Sequence, residues 1–173
     1  MKSIRAKAKK IKVLILDVDG VLTNGKIVFD NTGREMKFFD VQDGLGVIIL
    51  KRAGIKTFII TARSSPIVTK RARDMQVFKT YQDARDKLQV YKRIAKDMKL
   101  TDSEICFVGD ELIDLSVMKK AGLAIAVSNA VPEVKKVAGY ITKRSGGAGA
   151  VREVIELILK SQDKWKKAIR IYQ

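Results

Sequence analysis

Two pairs of acidic residues stand where apolar segments of the chain end. Asp17 and Asp19 follow the run KVLIL, and Asp110 and Asp114 follow EICFVG. Carboxylates that share a small space repel one another and need a proton or a cation. Oxygen ligands are the kind that Mg²⁺ prefers in proteins. The pattern favours one Mg²⁺ held by Asp17, Asp110 and the backbone carbonyl of Asp19, with Asp114 able to face the same ion.

A hydroxyl group and a lysine complete a candidate site for phosphoryl transfer. Thr61 follows another apolar segment, and Lys87 opens a helical one. In such a site Asp17 is the nucleophile that becomes a phosphoaspartate, while Asp19 protonates the leaving oxygen and then activates water. Thr61 and Lys87 bind the oxygens of the transferring phosphoryl group. Taken singly, such acids are also typical of turns and helix starts, such a threonine of a cap, and such a lysine of a surface.

The composition excludes several other chemistries. The 173 residues include no histidine and one cysteine, which rules out Ser-His-Asp and Cys-His catalysis, histidine or thiolate zinc sites, and iron–sulfur clusters. Cys106 has no partner for a disulfide within the chain, and neither a signal peptide nor a membrane-spanning run is recognisable, so we expect a cytoplasmic protein. The net charge of +16 indicates either a solvated, lysine-rich surface or attraction of anions such as phosphorylated metabolites or nucleic acid.

Alternating strands and helices would position these groups. The pattern indicates an α/β fold, a Rossmann-like, doubly wound, mostly parallel sheet in one domain over residues 1–173, with ligands beyond the carboxyl ends of the strands. The basic ends predict a helical lead-in and a mobile tail from about residue 160. The predicted strands are residues 12–16, 57–60, 77–81, 104–108, 123–127 and 140–142. The predicted helices are residues 41–53, 66–75, 86–98, 112–121, 132–137 and 150–159.

Residues 26–39 predict a protruding β-hairpin with no core of its own to cover. The segments 24–61 and 61–87 are too short for a cap domain of about 60 residues with a separate core, so we expect a capless fold. A phosphoaspartate needs a restricted, partly dried site. Because an isolated hairpin is marginally stable, we expect hairpins of different chains to pack together and a neighbouring subunit to close the site. An exposed flap on a monomer is the alternative.

The order of the motifs resembles the haloacid dehalogenase (HAD) superfamily of phosphatases: DxDGVLT, then ITxR, then a lysine, then GDExxD. Over residues 10–160 the chain is more closely similar to the 3-deoxy-D-manno-octulosonate 8-phosphate (KDO 8-phosphate) phosphatase family, through LDVDGVLTNGK, FDVQDGLG, IITARS, YQDARDKL and GGAGAVRE. The resemblance implies Mg²⁺-dependent hydrolysis of a phosphorylated sugar acid in lipopolysaccharide synthesis. It also implies a homotetramer joined through the hairpins, with a C-terminal tail that reaches a neighbour's site.

The resemblance also implies residue roles. Asp17 and Asp110 would be Mg²⁺ ligands and Asp19 the acid/base group. Asp40 and Ile48 depart from the Asn and Arg of many members, while Arg63, where some nine-carbon enzymes carry Glu, favours the eight-carbon substrate. The implied substrate contacts are Asp19, Asp40, Val41, Gln42, Asp43, Gly44, Arg63, Arg71 and Lys87.

Three alternatives to a KDO 8-phosphate phosphatase stay open. The first is a phosphatase for sialic-acid-type nine-carbon 9-phosphates. The second acts on nucleotides or nucleic-acid ends, which the charge suits, although the chain lacks an aromatic-rich basic stripe on which bases could stack, so we do not expect a nucleic-acid partner. The third is a binding module without turnover, which the complete set of Asp17, Asp19, Lys87 and Asp110 disfavours.

Overall fold

Six parallel strands form the centre of the computed structural model, which describes residues 2–173. With the two strands of a separate hairpin, the described residues form eight strands: β1 (Val13–Leu16), β2 (Val28–Phe29), β3 (Glu35–Met36), β4 (Lys56–Ile60), β5 (Lys79–Tyr81), β6 (Ile105–Gly109), β7 (Leu123–Ala126) and β8 (Tyr140–Ile141). The parallel sheet has the order β5-β4-β1-β6-β7-β8, and β2 and β3 pair separately as an antiparallel hairpin. Strands β1, β6 and β7 are buried along their whole length, as expected of strands covered on both faces.

The register of the sheet brings the ends of three strands to one edge. Leu16 pairs with Ile59 of β4 and with Val108 of β6, so the residues that follow these strands are neighbours. The chain fills one side of β1 with β4 and β5 and then crosses to the other side for β6, β7 and β8. The strand order therefore reverses beside β1, which is where doubly wound folds bind their ligands.

Helices connect the strands and cover the sheet. They are α1 (Lys2–Lys9), α2 (Val41–Arg52), α3 (Pro66–Asp74), α4 (Lys87–Asp97), α5 (Leu115–Met118), α6 (Pro132–Val137), α7 (Ala150–Ser161) and α8 (Trp165–Ile169). Helix α2 packs against α7 and α8, and α1 also contacts α7, while α5 contacts both α4 and α6. Asp40 caps α2 and Asp86 caps α4, because their side chains accept the N–H groups of Gln42 and Gln89. Throughout residues 2–173, each helix is too short or too polar to cross a bilayer.

The α/β architecture predicted from the sequence is confirmed. Each strand of the parallel sheet overlaps a predicted strand, and α1 forms the helical lead-in. Only the hairpin and α2 lie between β1 and β4, and only α3 lies between β4 and β5. The fold is therefore capless, with the hairpin as a separate two-stranded element.

Three predicted segments differ in the structure. The hairpin pairs only two residues in each strand, far fewer than residues 26–39 suggest. Residues 112–114 form a 3₁₀ turn before α5, so the predicted helix 112–121 is interrupted. The predicted tail contains regular structure, because residues 165–169 form α8 and pack Trp165, Ala168 and Ile169 against the core. Their helical spacing puts all three on one face.

Candidate active site

Three carboxyl groups and one ammonium group meet where β1 and β6 end. Oxygen atoms of Asp17, Asp110 and Asp114 lie within 4.8 Å of one another. Lys87, at the start of α4, places its Nζ 2.8 Å from Oδ2 of Asp17 and 2.7 Å from Oδ1 of Asp114. Asp17, Lys87 and Asp114 are buried, and Asp110 is partly buried. The fold thus brings together residues that are up to 97 positions apart (17 to 114) in the sequence.

Asp114 anchors the site. Its Oδ1 accepts from Lys87, and its Oδ2 accepts the backbone N–H groups of Asp110 at 3.0 Å and Glu111 at 3.3 Å. The sequence allowed Asp114 to face a cation beside Asp110. In the structure both of its oxygens are already engaged, so its role is to hold Lys87 in place and to fix the loop after β6.

Burial and mutual repulsion perturb the charge states of the cluster. Burial, followed by the carboxylate of Asp114, raises the pKa of Asp17 to about 7, although Lys87 opposes this shift. Burial, followed by the charges of Asp17 and Asp114, raises the pKa of Asp110 to about 8. Burial alone would lower the pKa of Lys87, but the neighbouring carboxylates outweigh it and raise that pKa. Lys87 therefore stays charged, but one ammonium group does not balance the charge of three carboxylates.

The donor set fits a divalent cation. Within the described residues, Oδ1 of Asp110 is buried and has no hydrogen-bond partner. A buried carboxylate oxygen in that state is costly unless a cation or a proton satisfies it. The remaining oxygens of Asp17 and Asp110 are the hard ligands that Mg²⁺ takes. A divalent cation between these two residues would therefore supply the charge that the cluster lacks.

Glycines allow the loops around the cluster to approach closely. Gly20 has φ +92°, and a Cβ at this position would overlap the Asp110 carboxylate. Asn129 ties two loops together, because its Nδ2 donates to the carbonyl of Gly20 at 3.1 Å and its Oδ1 accepts the N–H of Gly146 at 2.6 Å. The DxDG and GGAGAVRE segments are therefore neighbours, and a Cβ at Gly146 would overlap the carbonyl oxygen of Gly20.

A cavity of about 220 Å³ opens at the acid cluster. Thr61 is buried there, and its Oγ1 accepts the N–H of Arg63 at 3.4 Å. A larger cavity of about 780 Å³, partly lined by lysines, lies at the amino-terminal end of the sheet and contains none of the predicted catalytic residues. We therefore assign the smaller cavity as the candidate active site. It is lined by Asp17, Asp19, Gly25, Thr61, Ala62, Arg63, Asp110, Glu111 and Ile113.

Asp19 turns its carboxylate away from the other acids and towards the hairpin. Its Oδ1 accepts from Nζ of Lys37, and its Oδ2 lies 3.8 Å from Nε of Arg63. Glu35 accepts from Nη2 of Arg63 at 2.7 Å and from Oγ of Ser65 at 2.8 Å. The hairpin therefore lies against the active site of its own chain.

Glu35 and Lys37 were not predicted from the sequence as residues of the site. A signal for them was present, because they alternate with the apolar residues Met36 and Phe38 along the second hairpin strand. Alternate residues of a strand share a face. The charged face of the hairpin points to the site, and Met36 and Phe38 are 42% and 63% exposed on the other.

The predicted substrate contacts at the start of α2 lie outside this cavity. Nη2 of Arg71 donates to the carbonyl of Asp40 at 2.8 Å, and the guanidinium group of Arg71 occupies the space beside Gly44 that a side chain would fill. Oε1 of Gln42 accepts from Nη1 of Arg144 at 2.6 Å. These residues form a second polar cluster. Within a single chain, none of them lines the cavity.

Val41 and Asp43, two residues apart in α2, have opposite environments. Val41 is 78% exposed. Asp43 is 1% exposed, and its Oδ1 accepts the N–H of Arg152 at 2.7 Å while its Oδ2 has no partner within the described residues. Burial raises the pKa of Asp43 to about 6. In this structure Asp43 links α2 to the first turn of α7 and does not line the cavity.

Sequence comparisons identify relatives over almost the whole chain. The family model of haloacid dehalogenase-like hydrolases matches residues 75–155. The 3-deoxy-D-manno-octulosonate 8-phosphate phosphatase KdsC of Escherichia coli (strain B / BL21-DE3) is 40% identical over 165 residues, which cover 95% of this chain and 88% of that protein.

Solved structures agree with the sequence relatives. The same phosphatase from Moraxella catarrhalis, crystallised with a magnesium ion, a phosphate ion and KDO, is 42% identical, with a TM-score of 0.97 over 100% of this chain and 99% of that one. The cobalt-bound phosphatase of Haemophilus influenzae is 34% identical, with a TM-score of 0.87 over 91% of this chain and 92% of that one. On this evidence the chain belongs to the KDO 8-phosphate phosphatase family of haloacid dehalogenase-like hydrolases.

Proposed function

We propose that this protein is a Mg²⁺-dependent phosphatase that hydrolyses KDO 8-phosphate to KDO and phosphate through a phosphoaspartate. The observation that carries the proposal is the buried Lys87, in contact with Asp17 at a strand end beside Asp110. This arrangement provides a nucleophile, a fixed positive charge and a cation site at one point. The relatives that act on KDO 8-phosphate support the choice of substrate.

In the first half of the reaction, a carboxylate oxygen of Asp17 attacks phosphorus, and Asp19 gives a proton to the departing sugar oxygen. In the second half, Asp19 takes a proton from water, and the resulting nucleophile releases phosphate and restores Asp17. Lys87 orients Asp17 through Oδ2. Together with the hydroxyl of Thr61, Lys87 also binds the phosphoryl oxygens as their negative charge shifts.

Asp17, Asp110 and the backbone carbonyl of Asp19 would hold the Mg²⁺ ion. When bound, the ion offsets the charges of the carboxylates and the phosphate, so that an anionic nucleophile can approach an anionic substrate. Asp114 keeps the arrangement rigid, because it holds Lys87 with one oxygen and the loop of Asp110 with the other.

The part of the substrate beyond the phosphate would be bound by polar groups around the mouth of the cavity. Arg63 lines the cavity beside Asp19 and can pair with a carboxylate or hydroxyl groups. Residues 40–44 begin α2 at the same carboxyl edge of the sheet, because α2 leads directly into β4. We propose that residues 40–44 and Arg71 contact the sugar acid at this edge.

We further propose that the protein works as a homotetramer in the cytoplasm, in lipopolysaccharide synthesis. The hairpin supports an assembly through its apolar side chains, because Ile27, Phe29, Met36 and Phe38 are 53%, 58%, 42% and 63% exposed. Exposed apolar side chains on a two-stranded hairpin are typical of a contact between chains.

A panel of substrates tests the proposed activity. We expect kcat/KM for KDO 8-phosphate to exceed that for a nine-carbon keto-acid 9-phosphate, and EDTA to abolish phosphate release from both. Preference for the nine-carbon substrate would replace the proposed substrate and leave the reaction in place. Failure to release phosphate from any monoester with Mg²⁺ present would contradict the enzyme proposal and favour a binding module.

A further inference from the structure

The charged face of the hairpin carries a buried lysine at the active site. The side chain of Lys37 is 2% exposed, and its ammonium group contacts Oδ1 of Asp19 and lies 3.4 Å from Oε1 of Glu35. A buried ammonium group is unfavourable unless carboxylates pair with it. The two carboxylates therefore hold Lys37 in one place, and Lys37 in turn fixes the direction of the Asp19 carboxylate.

Glu35 forms the second half of this network. Its Oε1 accepts from Nη2 of Arg63 at 2.7 Å, and its Oε2 accepts from Oγ of Ser65 at 2.8 Å. Ser65 is 3% exposed and precedes the first turn of α3, so it is a rigid partner. Burial acts to raise the pKa of Glu35, but the hydrogen bond from Ser65 and the charges of Lys37 and Arg63 outweigh it and lower that pKa.

The two contacts orient different groups of the cavity. Glu35 accepts from Nη2 of Arg63, and the other guanidinium donors form no hydrogen bond within residues 2–173, although Nε lies 3.8 Å from Oδ2 of Asp19. Building on the proposed function, we propose that Lys37 and Glu35 are positioning residues of the phosphatase reaction. Lys37 sets the direction from which Asp19 delivers its proton, and Glu35 aims Arg63 at the substrate beyond its phosphate.

The two roles predict different kinetic defects. Asp19 acts on the bond that breaks in every phosphomonoester, so loss of Lys37 lowers kcat for all substrates. Arg63 reaches only a substrate that extends past the phosphate, so loss of Glu35 raises KM for the sugar-acid phosphate and leaves a short alkyl phosphate unaffected. A purely structural role of Glu35 would lower both activities together, and a purely structural role of Lys37 would change KM along with kcat and would not be rescued by arginine.

Steady-state kinetics with KDO 8-phosphate and propyl phosphate test these assignments. We expect Lys37→Met to lower kcat by about 10- to 100-fold for both substrates with little change in KM, and Lys37→Arg to restore part of the loss. We expect Glu35→Gln to raise KM for KDO 8-phosphate by about tenfold, because an aligning hydrogen bond to a charged group is lost.

Arg34→Gln is the control variant. The side chain of Arg34 is exposed, lies beside Glu35 on the hairpin and forms no ion pair within the described residues.

Several results would overturn the inference. A kcat for Lys37→Met within twofold of the wild type removes the role of Lys37, and an equal change for both substrates in Glu35→Gln, or no change, removes that of Glu35. If Lys37→Met does not fold, as judged by circular dichroism, Lys37→Gln takes its place under the same criterion. Wild-type protein that hydrolyses propyl phosphate but not KDO 8-phosphate would contradict the proposed substrate and still allow the Lys37 test. The Glu35 test would then use the nine-carbon phosphate.

Discussion

Single side chains at this site carry more than one task. Lys87 contacts Asp17 and Asp114 at the same time, so one ammonium group orients the proposed nucleophile and neutralises part of a buried acid cluster. Both oxygens of Asp114 accept hydrogen bonds, so this residue fixes both Lys87 and the loop of Asp110. The four aspartates of the site, Asp17, Asp19, Asp110 and Asp114, have the same functional group. Their different tasks therefore follow from the different groups that each of them contacts.

At this scale, replacement of the nucleophile should separate activity from stability. We expect Asp17→Asn to lower phosphate release by more than about 10³-fold, as for other covalent catalysts. We expect the melting temperature to stay equal or to rise, because the variant removes one of three crowded carboxyl groups while Asp114 still pairs with Lys87. Phosphate release and thermal unfolding, measured on the same preparation, check both expectations. Substantial residual turnover would assign the nucleophile elsewhere.

Asp43 should make stability depend on pH. Its pKa is about 6 in the folded protein against 3.8 as the ordinary value, so the folded state holds the proton more tightly than the unfolded state. The contribution of Asp43 to the free energy of unfolding is complete below about pH 4 and is lost as the pH rises through 6. Asp43→Asn does not ionise, and its side-chain oxygen can still accept the N–H of Arg152. We expect this variant to gain about 1–3 kcal/mol over the wild type between pH 4 and pH 7.

Urea unfolding at a series of pH values measures this difference. Other titrating groups contribute equally to both proteins, so the difference between variant and wild type isolates Asp43. A difference that does not change with pH would show that Asp43 ionises normally in the folded state.

At the scale of elements, the hairpin has two faces with separate contacts. Lys37 and Glu35 on one face bind groups of the active site, while Met36 and Phe38 on the other are 42% and 63% exposed. The sheet presents its catalytic residues from strand ends, whereas the hairpin adds residues from outside the sheet. A hairpin with only two paired residues per strand thus holds two side chains that line the cavity, Asp19 and Arg63.

Removal of the apolar side chains should therefore affect assembly. We expect Phe29→Ser combined with Phe38→Ser to shift the mass measured by light scattering from four chains towards one, because the exposed apolar area that drives association is lost. Ile141→Ser on the edge strand β8, 43% exposed, is the matched control and should keep the wild-type mass. A wild-type protein that is already monomeric would contradict the proposed tetramer.

At the scale of the whole molecule, charge is the dominant property. The net charge of +16 attracts a substrate that carries both phosphate and carboxylate groups. Lysines also line the cavity of about 780 Å³ at the far end of the sheet, so the positive potential is not confined to the active site. Long-range attraction of this kind acts on encounter with the substrate and not on the chemical step.

Salt should reveal this contribution. We expect kcat/KM for the sugar-acid phosphate to fall by about three- to tenfold between 0.05 and 0.5 M KCl at constant Mg²⁺, with kcat nearly unchanged, because added ions screen the attraction. Initial rates at low and saturating substrate measure the two parameters. A kcat/KM that is independent of salt would show that the surface charge does not assist binding.

The sequence alone predicted the architecture, which the structure confirms, and the residues that we propose carry the chemistry. Asp17, Thr61 and Asp110 could be placed at one sheet edge because each follows an apolar run, and parallel strands end on the same side. Tertiary structure decided which group each side chain contacts. Asp43 is held by the backbone of Arg152, 109 residues away, and the packing of the hairpin brings Lys37 to Asp19. Such contacts depend on how separate elements pack and on rotamers that only the packed molecule selects, and a linear pattern contains neither.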